Sequence, residues 1–482
     1  MSQMGMENSE QFSHKKSLFL MLSAIIFCLG LSISYSSGIL PLEGIFLLLI
    51  LPFLLLLFLI RQEAILLAIV ASYFGSAYFF PDDLIAQSLL RGALLFLIGL
   101  MLILRFGAKR EITRIATPLD KIIFIWLGVI FVSFFYGFYF KGNETEYLIG
   151  DLYKFVEIIS VFWLTTFIVR TRKQIRFLIW GFLFVVLILG AIDSGIFFIQ
   201  MGFVGDILLA RVRAGAQFSS IFAFILAVTL ILHEKRTMPK LILTFLSLAF
   251  LLSFLVCFLR TGYVVIPPTL AVILFLYFYK NRNRALRGIK NIAVLIFFLL
   301  VFVTCFNMTL ISINPGLNIV KATFTRFFSI VDPYSGDPMG VRTQEAESII
   351  SYVLARSPLL GSGLGGEYYS AEKIAGEIHW GMKHYIHNNY LDFLVRTGML
   401  GLFVFFILAF KYLKDVIKFY LKSKNDFYEG ALLGCFGIFI SSMMIAFSVS
   451  IFYSPFIFIA MAITYCIAHF KEKDRLKTKR NE

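Results

Sequence analysis

Apolar runs long enough to cross a bilayer recur about fourteen times along this chain. A spanning helix needs about 20 mostly apolar residues. Such runs stand at about 17–35, 39–60, 64–80, 87–104, 119–140, 151–169, 177–200, 217–232, 241–259, 262–279, 290–311, 389–410, 430–448 and 451–469. They are continuously apolar rather than alternating, which predicts helices and not barrel strands. Composition closes the other options: 59% of the 482 residues are hydrophobic and 15% charged, against about 25% charged in a soluble domain. A soluble interior of this size could not hold that much apolar side chain. The sequence therefore reads as an all-α integral membrane protein with about 12–14 transmembrane helices. Residues 1–311 form an N-terminal bundle of about 11 spans, and 312–388 form one large extracytoplasmic loop with short helices. Residues 389–470 add about three spans, and 471–482 form a basic tail.

The formal net charge of +15 would suggest nucleic acid in a soluble protein, but placement argues otherwise. With the N-terminus in the cytoplasm, about 30 of the 44 Lys and Arg fall on the inner side, mostly in short loops. This positive-inside pattern predicts both termini in the cytoplasm. The first 16 residues are polar and the following run lacks an A-x-A-like site, so no cleavable leader is expected. Cys28, Cys257, Cys305, Cys435 and Cys466 all lie in apolar runs without a C-x-x-C pair, and read as small buried hydrophobes.

Topology leaves several outer-side cations unexplained. Arg211 and Arg213 sit in Leu209-Ala-Arg-Val-Arg-Ala-Gly215, and Arg260 sits where one apolar run turns into the next. An arginine within a span costs about 2.5–3.5 kcal/mol on insertion scales, so it faces a partner, an aqueous cavity or the interface. One reading is interfacial snorkelling. The other is an anion site, because the planar guanidinium fork suits phosphate oxygens. The long loop is unusual for its length. Within it, Val341–Arg356 has helical spacing of Ile349, Ile350, Val353 and Leu354, ended by Pro358 and the glycines of 361–366. Its carboxylates, Asp332, Asp337, Glu345, Glu347, Glu367, Glu372 and Glu377, form no D-x-x-D pair, and no metal is expected. His379, His384 and His387 lie close in sequence without the i, i+4 spacing of a zinc helix. His387, just before a span, is either an ordinary loop histidine or a general base for a sugar hydroxyl.

Ser357-Pro-Leu-Leu-Gly-Ser-Gly-Leu-Gly365, His387-Asn-Asn-Tyr-Leu391 and Gly398-Met-Leu-Gly401 together resemble the C-terminal signature of the O-antigen ligase and Wzy-type O-antigen polymerase family. That pattern is a proline–glycine turn, a His-Asn pair, and a glycine nine intervening residues after the Asn, as Asn388 and Gly398 are placed. Arg342 matches the arginine that opens the loop helix. Arg260 resembles the arginine of a Ser-Arg-Gly element, from which Leu259 and Thr261 depart. Arg211 or Arg213 with Gly215 resembles an Arg-x-x-Gly element, although Ser219-Ser220 stand near the place of the family's Pro-Asn pair.

The resemblance implies a GT-C-like glycosyltransferase of the bacterial inner membrane, working at the periplasmic or outer face without cofactor or metal. Its donor would be an undecaprenyl-diphosphate-linked glycan. The acceptor would be a second lipid-linked glycan for a polymerase, or lipid A-core for a ligase. Membrane lipids and a chain-length regulator are the other partners implied; nucleic acid is not. In this reading His387 is the base, Arg211, Arg213, Arg260 and Arg342 hold the diphosphate, and Asn388 orients His387 or a sugar. Asn388 could equally cap the next helix. A transporter or lipid-linked glycan flippase is the alternative, and a structural membrane partner of a synthesis complex is a third reading.

Overall fold

The computed structural model describes residues 62–79, 92, 114–204, 217–282, 285–313, 316–328, 338–374, 377–424 and 426–481. The expected spans at 17–35 and 39–60, nearly all of 87–104, and Arg211 and Arg213 lie outside the described residues. The chain divides into two units, Met1–Ile65 and Leu66–Glu482. The fold around the site belongs to the second.

In chain order the described helices are α1 (Ala64–Phe79), α2 (Asp120–Phe135, continued by a π-helical turn Tyr136–Lys141), α3 (Thr145–Ile168), α4 (Arg172–Val204) and α5 (Gln217–His233). They continue as α6 (Thr237–Cys257), α7 (Arg260–Lys280), α8 (Ala285–Ile313), α9 (Ile319–Phe328), α10 (Pro338–Arg356), α11 (Asn389–Lys422), α12 (Asp426–Ile445) and α13 (Pro455–Asn481). Among the described residues, seven helical stretches are long and apolar enough to cross a membrane: Asp120–Lys141, Arg172–Gln200, Thr237–Cys257, Arg260–Lys280, Asn389–Lys422, Phe427–Ile445 and Pro455–Lys473. Shorter apolar helices cover Ala64–Phe74, Gln217–His233 and Ile296–Ser312. The 151–169 run forms helix α3, which carries Asp151, Lys154 and Glu157 and is not among the seven. The chain is a multi-pass, helical membrane protein.

Outward faces stay apolar. Phe124, Phe131 and Phe135 on α2, Phe245 on α6 and Phe275 on α7 are all exposed, as a helix turned toward lipid requires. Inside, Trp126 of α2 is fully buried, with ring centroids 5.5 Å from Phe155 of α3, 5.8 Å from Phe393 and Phe405 of α11, and 6.5 Å from Phe458 of α13. Lipid tails are as apolar as these rings, so close packing rather than water exclusion holds such a hub together.

Between α10 and α11 the segment expected to hold short helices also contains an antiparallel hairpin, β1 (Tyr368–Ile374) with β2 (Glu377–Lys383), in register from Tyr368 opposite Lys383 to Ile374 opposite Glu377. Its tyrosine, isoleucine and tryptophan content favours strand. The preceding glycine turn is buried in the bundle. The Ser362 amide donates to the Val395 carbonyl at 2.7 Å, the Leu364 amide to the Ser133 carbonyl at 3.2 Å, and Asn143 Nδ2 to the Leu364 carbonyl at 2.7 Å. A Cβ on Gly363 would stand 2.7 Å from the Cα of Gly137, at a φ of +80° that only glycine adopts freely.

The turn also fills a break in α11. Gly398 has φ 66° and ψ −169°, so the helix stops and restarts there. The Met399 and Leu400 amides, orphaned by the break, donate to the carbonyls of Pro358 and Leu359 at 2.9 and 3.3 Å. The proline–glycine turn and the distant glycine of the signature are thus two halves of one backbone junction.

Candidate active site

Arg260 begins α7 after a two-residue break. Phe258 takes a left-handed conformation (φ 48°) that ends α6, and Leu259 is extended. Gly262 lets the two helices close, since a Cβ there would meet the Phe254 ring at 2.2 Å. The break places Arg260 at a helix start, where the backbone amides add positive potential. Arg342 lies in the first turns of α10. His387 and Asn388 lead into α11, and Asn388 is its N-cap, its Oδ1 accepting from the Tyr390 and Leu391 amides at 2.9 and 3.2 Å.

These four residues, from three separate stretches of sequence, line one cavity of about 550 Å³, together with Thr261, Thr343, Glu345 and Ser448. The Thr261 and Ser448 hydroxyls share a hydrogen bond of 3.1 Å in its lining. The cavity's remaining wall, with Val264, Val265, Met444 and Phe447, is apolar. Of the five cavity-lining or arginine residues expected from sequence beside His387, Arg211 and Arg213 are outside the described residues, and the other three reach the cavity.

His387 has a partner that the sequence reading did not assign. Its Nδ1 lies 3.3 Å from Glu345 Oε1. Tyr368 of β1 donates its hydroxyl to the same oxygen at 2.8 Å. Tyr385 packs edge-on to the imidazole with centroids 4.9 Å apart. The histidine side chain is 47% exposed while that of Glu345 is 11% exposed, so the imidazole reaches into the cavity from a buried carboxylate anchor. Burial pulls the Glu345 carboxyl upward, but the hydrogen bonds from His387 and Tyr368 outweigh it and hold the carboxyl below its ordinary range. Burial, then the Glu345 charge, pushes the Tyr368 hydroxyl well up, so it remains a donor. A carboxylate on Nδ1 sets the tautomer that leaves Nε2 as the proton acceptor.

Glu345 was legible in principle. It sits four residues before Ile349 and eight before Val353, and all three are buried on one face of α10. A carboxylate in an apolar helical stripe calls for a partner.

The other two loop histidines are not gathered with His387. His384 stacks on Tyr147 at 4.2 Å between centroids and reaches Asp151 at 3.5 Å. It belongs to a second buried cluster around Arg396, which is 1% exposed. The Arg396 Nε lies 2.9 Å from Asp151 and 3.3 Å from Asp392, and its guanidinium also donates to the carbonyls of His384 (2.6 Å) and Gly366. Asp151 also accepts from the Gly365 amide at 2.9 Å. This cluster ties α3, α11 and the glycine turn together; Arg396 was not singled out in the sequence. The described side chain of Asn388 acts as a helix cap, the second of the two roles open from sequence, and through it fixes where His387 leaves α11.

No curated protein matches the chain. A family model described as O-antigen ligase matches residues 258–406, just under a third of the chain. That span contains Arg260, Arg342, Glu345, His387, Asn388, Arg396 and Gly398, whereas Arg211 and Arg213 precede it. The cavity and the buried junction behind it are therefore built largely from residues 258–406, the segment similar to the O-antigen ligase family model.

Proposed function

We propose that this protein transfers a glycan from undecaprenyl diphosphate to an acceptor sugar hydroxyl at the outer face of the membrane, as a surface-polysaccharide polymerase or an O-antigen ligase. The observation that carries the reading is the convergence of Arg260, Arg342 and His387 on one cavity, with His387 backed by Glu345.

In the proposed step, His387 Nε2 takes the acceptor hydroxyl proton as the oxygen attacks the anomeric carbon of the donor sugar. The bond from that carbon to the diphosphate oxygen breaks, and undecaprenyl diphosphate leaves with the electron pair. Arg260 and Arg342 bind the diphosphate and stabilise its growing charge; Arg211 or Arg213 would join them. The imidazolium formed is balanced by the Glu345 carboxylate. The arginines take the part a divalent ion plays in other diphosphate chemistry, so activity should persist in EDTA. The Gly398 break offers no ion a vacant helix end, since Pro358 and Leu359 occupy it; that weighs against the transporter reading.

The test is the lipid-linked glycan profile of cells in which the gene is replaced by His387→Ala. Accumulated single repeat units on undecaprenyl diphosphate mean a polymerase. Accumulated long chains on that carrier, absent from lipid A-core, mean a ligase. A profile equal to wild type defeats the proposal.

A further inference from the structure

Helix α11 runs 34 residues from the His387 cavity, about 50 Å at 1.5 Å per residue, to Lys422. At that far end four membrane-length stretches stop together: Arg172–Gln200 and Phe427–Ile445 begin there, and Asn389–Lys422 and Pro455–Lys473 end there. Among their ends lies a cavity of about 210 Å³ whose lining includes Arg172, Lys424, Tyr428, Phe470 and Lys471. It stands where apolar helix gives way to polar chain, which is the depth of lipid headgroups.

The lining has one sign of charge. Arg172, Lys424 and Lys471 come from three separate segments, and none of the lining residues is acidic. The carboxylate of Glu429 is nearby but is held by Lys280 at 3.1 Å and lies 3.8 Å from His233. The cations are placed, not scattered. The Arg172 guanidinium lies 5.6 Å from the Tyr428 ring centre, and the Tyr428 hydroxyl donates to the Arg172 carbonyl at 3.1 Å. Lys471 donates to the carbonyl of Lys422, which restrains its ammonium at the cavity lining. The first turns of α4 and α12 also open here and add amide potential of the same sign. Ile175, Ile467 and Phe470 form an apolar wall beside the charges.

Three cations, two helix starts and an apolar wall at headgroup depth match a phosphate diester carrying acyl chains. We propose that this cavity binds the phosphate of an anionic phospholipid, in the leaflet opposite the His387 cavity. The positive-inside pattern makes that the cytoplasmic leaflet. The site is independent of the glycosyl-transfer reading, because it shares no residue with it.

The full chain, purified in neutral detergent, is tested by native mass spectrometry and thermal melting with phosphatidylglycerol, phosphatidylcholine or inorganic phosphate. Wild type should retain phosphatidylglycerol and melt higher with it, and respond to neither phosphatidylcholine nor inorganic phosphate. Arg172→Gln should retain about fivefold less. Arg172 also packs on Tyr428, so Lys424→Gln, whose side chain is exposed, serves as a second reading with a loss of similar size. Transfer activity of Lys424→Gln in a lipid-matched assay should equal wild type, which separates failure of this site from failure of the proposed function. Equal retention of phosphatidylglycerol in wild type and both variants would overturn the proposal. So would equal retention of phosphatidylcholine, or equal protection by inorganic phosphate, which would indicate a soluble anion.

Discussion

His387 Nδ1 and Glu345 Oε1 lie 3.3 Å apart across 42 residues of sequence. Glu345 is buried on α10 and His387 is half exposed at the mouth of α11, so the contact joins the loop helix to the bundle at the cavity rim. It gives the imidazole a fixed tautomer and a counter-charge, the two things a general base needs most.

Glu345→Gln should therefore lower turnover by roughly 10–100-fold, the loss typical when a partner orienting an active group is removed. The change should fall on kcat more than on KM, because Glu345 acts through His387. Initial rates of glycan transfer in proteoliposomes, measured across acceptor concentration, decide this. A wild-type kcat would leave Glu345 a structural residue.

The same carboxylate makes a statement about stability. Its value in the folded protein lies below the ordinary 4.5. A group depressed on folding contributes stability that is complete above its unfolded value and lost as pH falls through the folded value. The wild type should thus melt higher than Glu345→Gln at pH 6–7, and the difference should shrink progressively below about pH 4.5. A constant difference down to pH 3 would contradict the assignment.

Arg260 and Arg342 should not tolerate lysine. A bidentate guanidinium–phosphate contact supplies two parallel hydrogen bonds, and an ammonium supplies a point charge. Removing a charged hydrogen bond costs about 1.5–3 kcal/mol, so Arg260→Ala should lose roughly 10–100-fold in kcat/KM. Arg260→Lys should recover only a minor part of that. Equal rates for Lys and Arg at position 260 would count against a diphosphate clamp.

Gly398 should be equally intolerant for a backbone reason. It has φ 66°, and a Cβ there would sit 2.1 Å from the Leu359 carbonyl oxygen. Strain alone costs on the order of 1–3 kcal/mol, and the clash pushes the turn out of its seat. Gly398→Ala should lower the melting temperature and expose Pro358–Gly366 to proteolysis. Gly128→Ala is the control, since a Cβ there meets nothing within 4 Å. Equal melting of the two variants would refute the junction's role.

How much of this was legible follows from what each feature depends on. Helices such as α6, α7 and α13 follow from apolar run length, because a bilayer admits few alternatives. The hairpin Tyr368–Lys383 was not read, because a two-stranded ribbon in a polar loop lacks the clean alternation of a half-buried strand. Arg260, Arg342 and His387 were legible as chemistry and through a motif, but their meeting at one cavity is tertiary. Glu345 was noted as a loop carboxylate and weighed as a metal ligand, while its position in the buried stripe with Ile349 and Val353 carried the better signal. Arg396 was missed because its run, 389–410, passed as an ordinary span within what is helix Asn389–Lys422.

Arg396 is the residue whose loss should be felt most. Its guanidinium is 1% exposed and lies between two carboxylates, Asp151 at 2.9 Å and Asp392 at 3.3 Å. Asp392 also accepts from the buried Tyr453 hydroxyl, and Asp151 from the Gly365 amide. Arg396→Met keeps much of the volume but leaves two acidic groups facing each other with only Lys154, 3.0 Å from Asp151, as a counter-charge. Breaking a buried pair by removing one partner costs about 3–5 kcal/mol, far more than the pair contributes against an apolar substitute. The variant should therefore aggregate or melt at markedly lower temperature in detergent. Neutralising the abandoned charges should return part of the loss, so Arg396→Met with Asp151→Asn and Asp392→Asn should melt above Arg396→Met alone. Fluorescence-detected size exclusion after a heat series measures all of these. A single variant as stable as wild type, or a triple variant less stable than the single, would show that the cluster does not hold the glycine turn by charge.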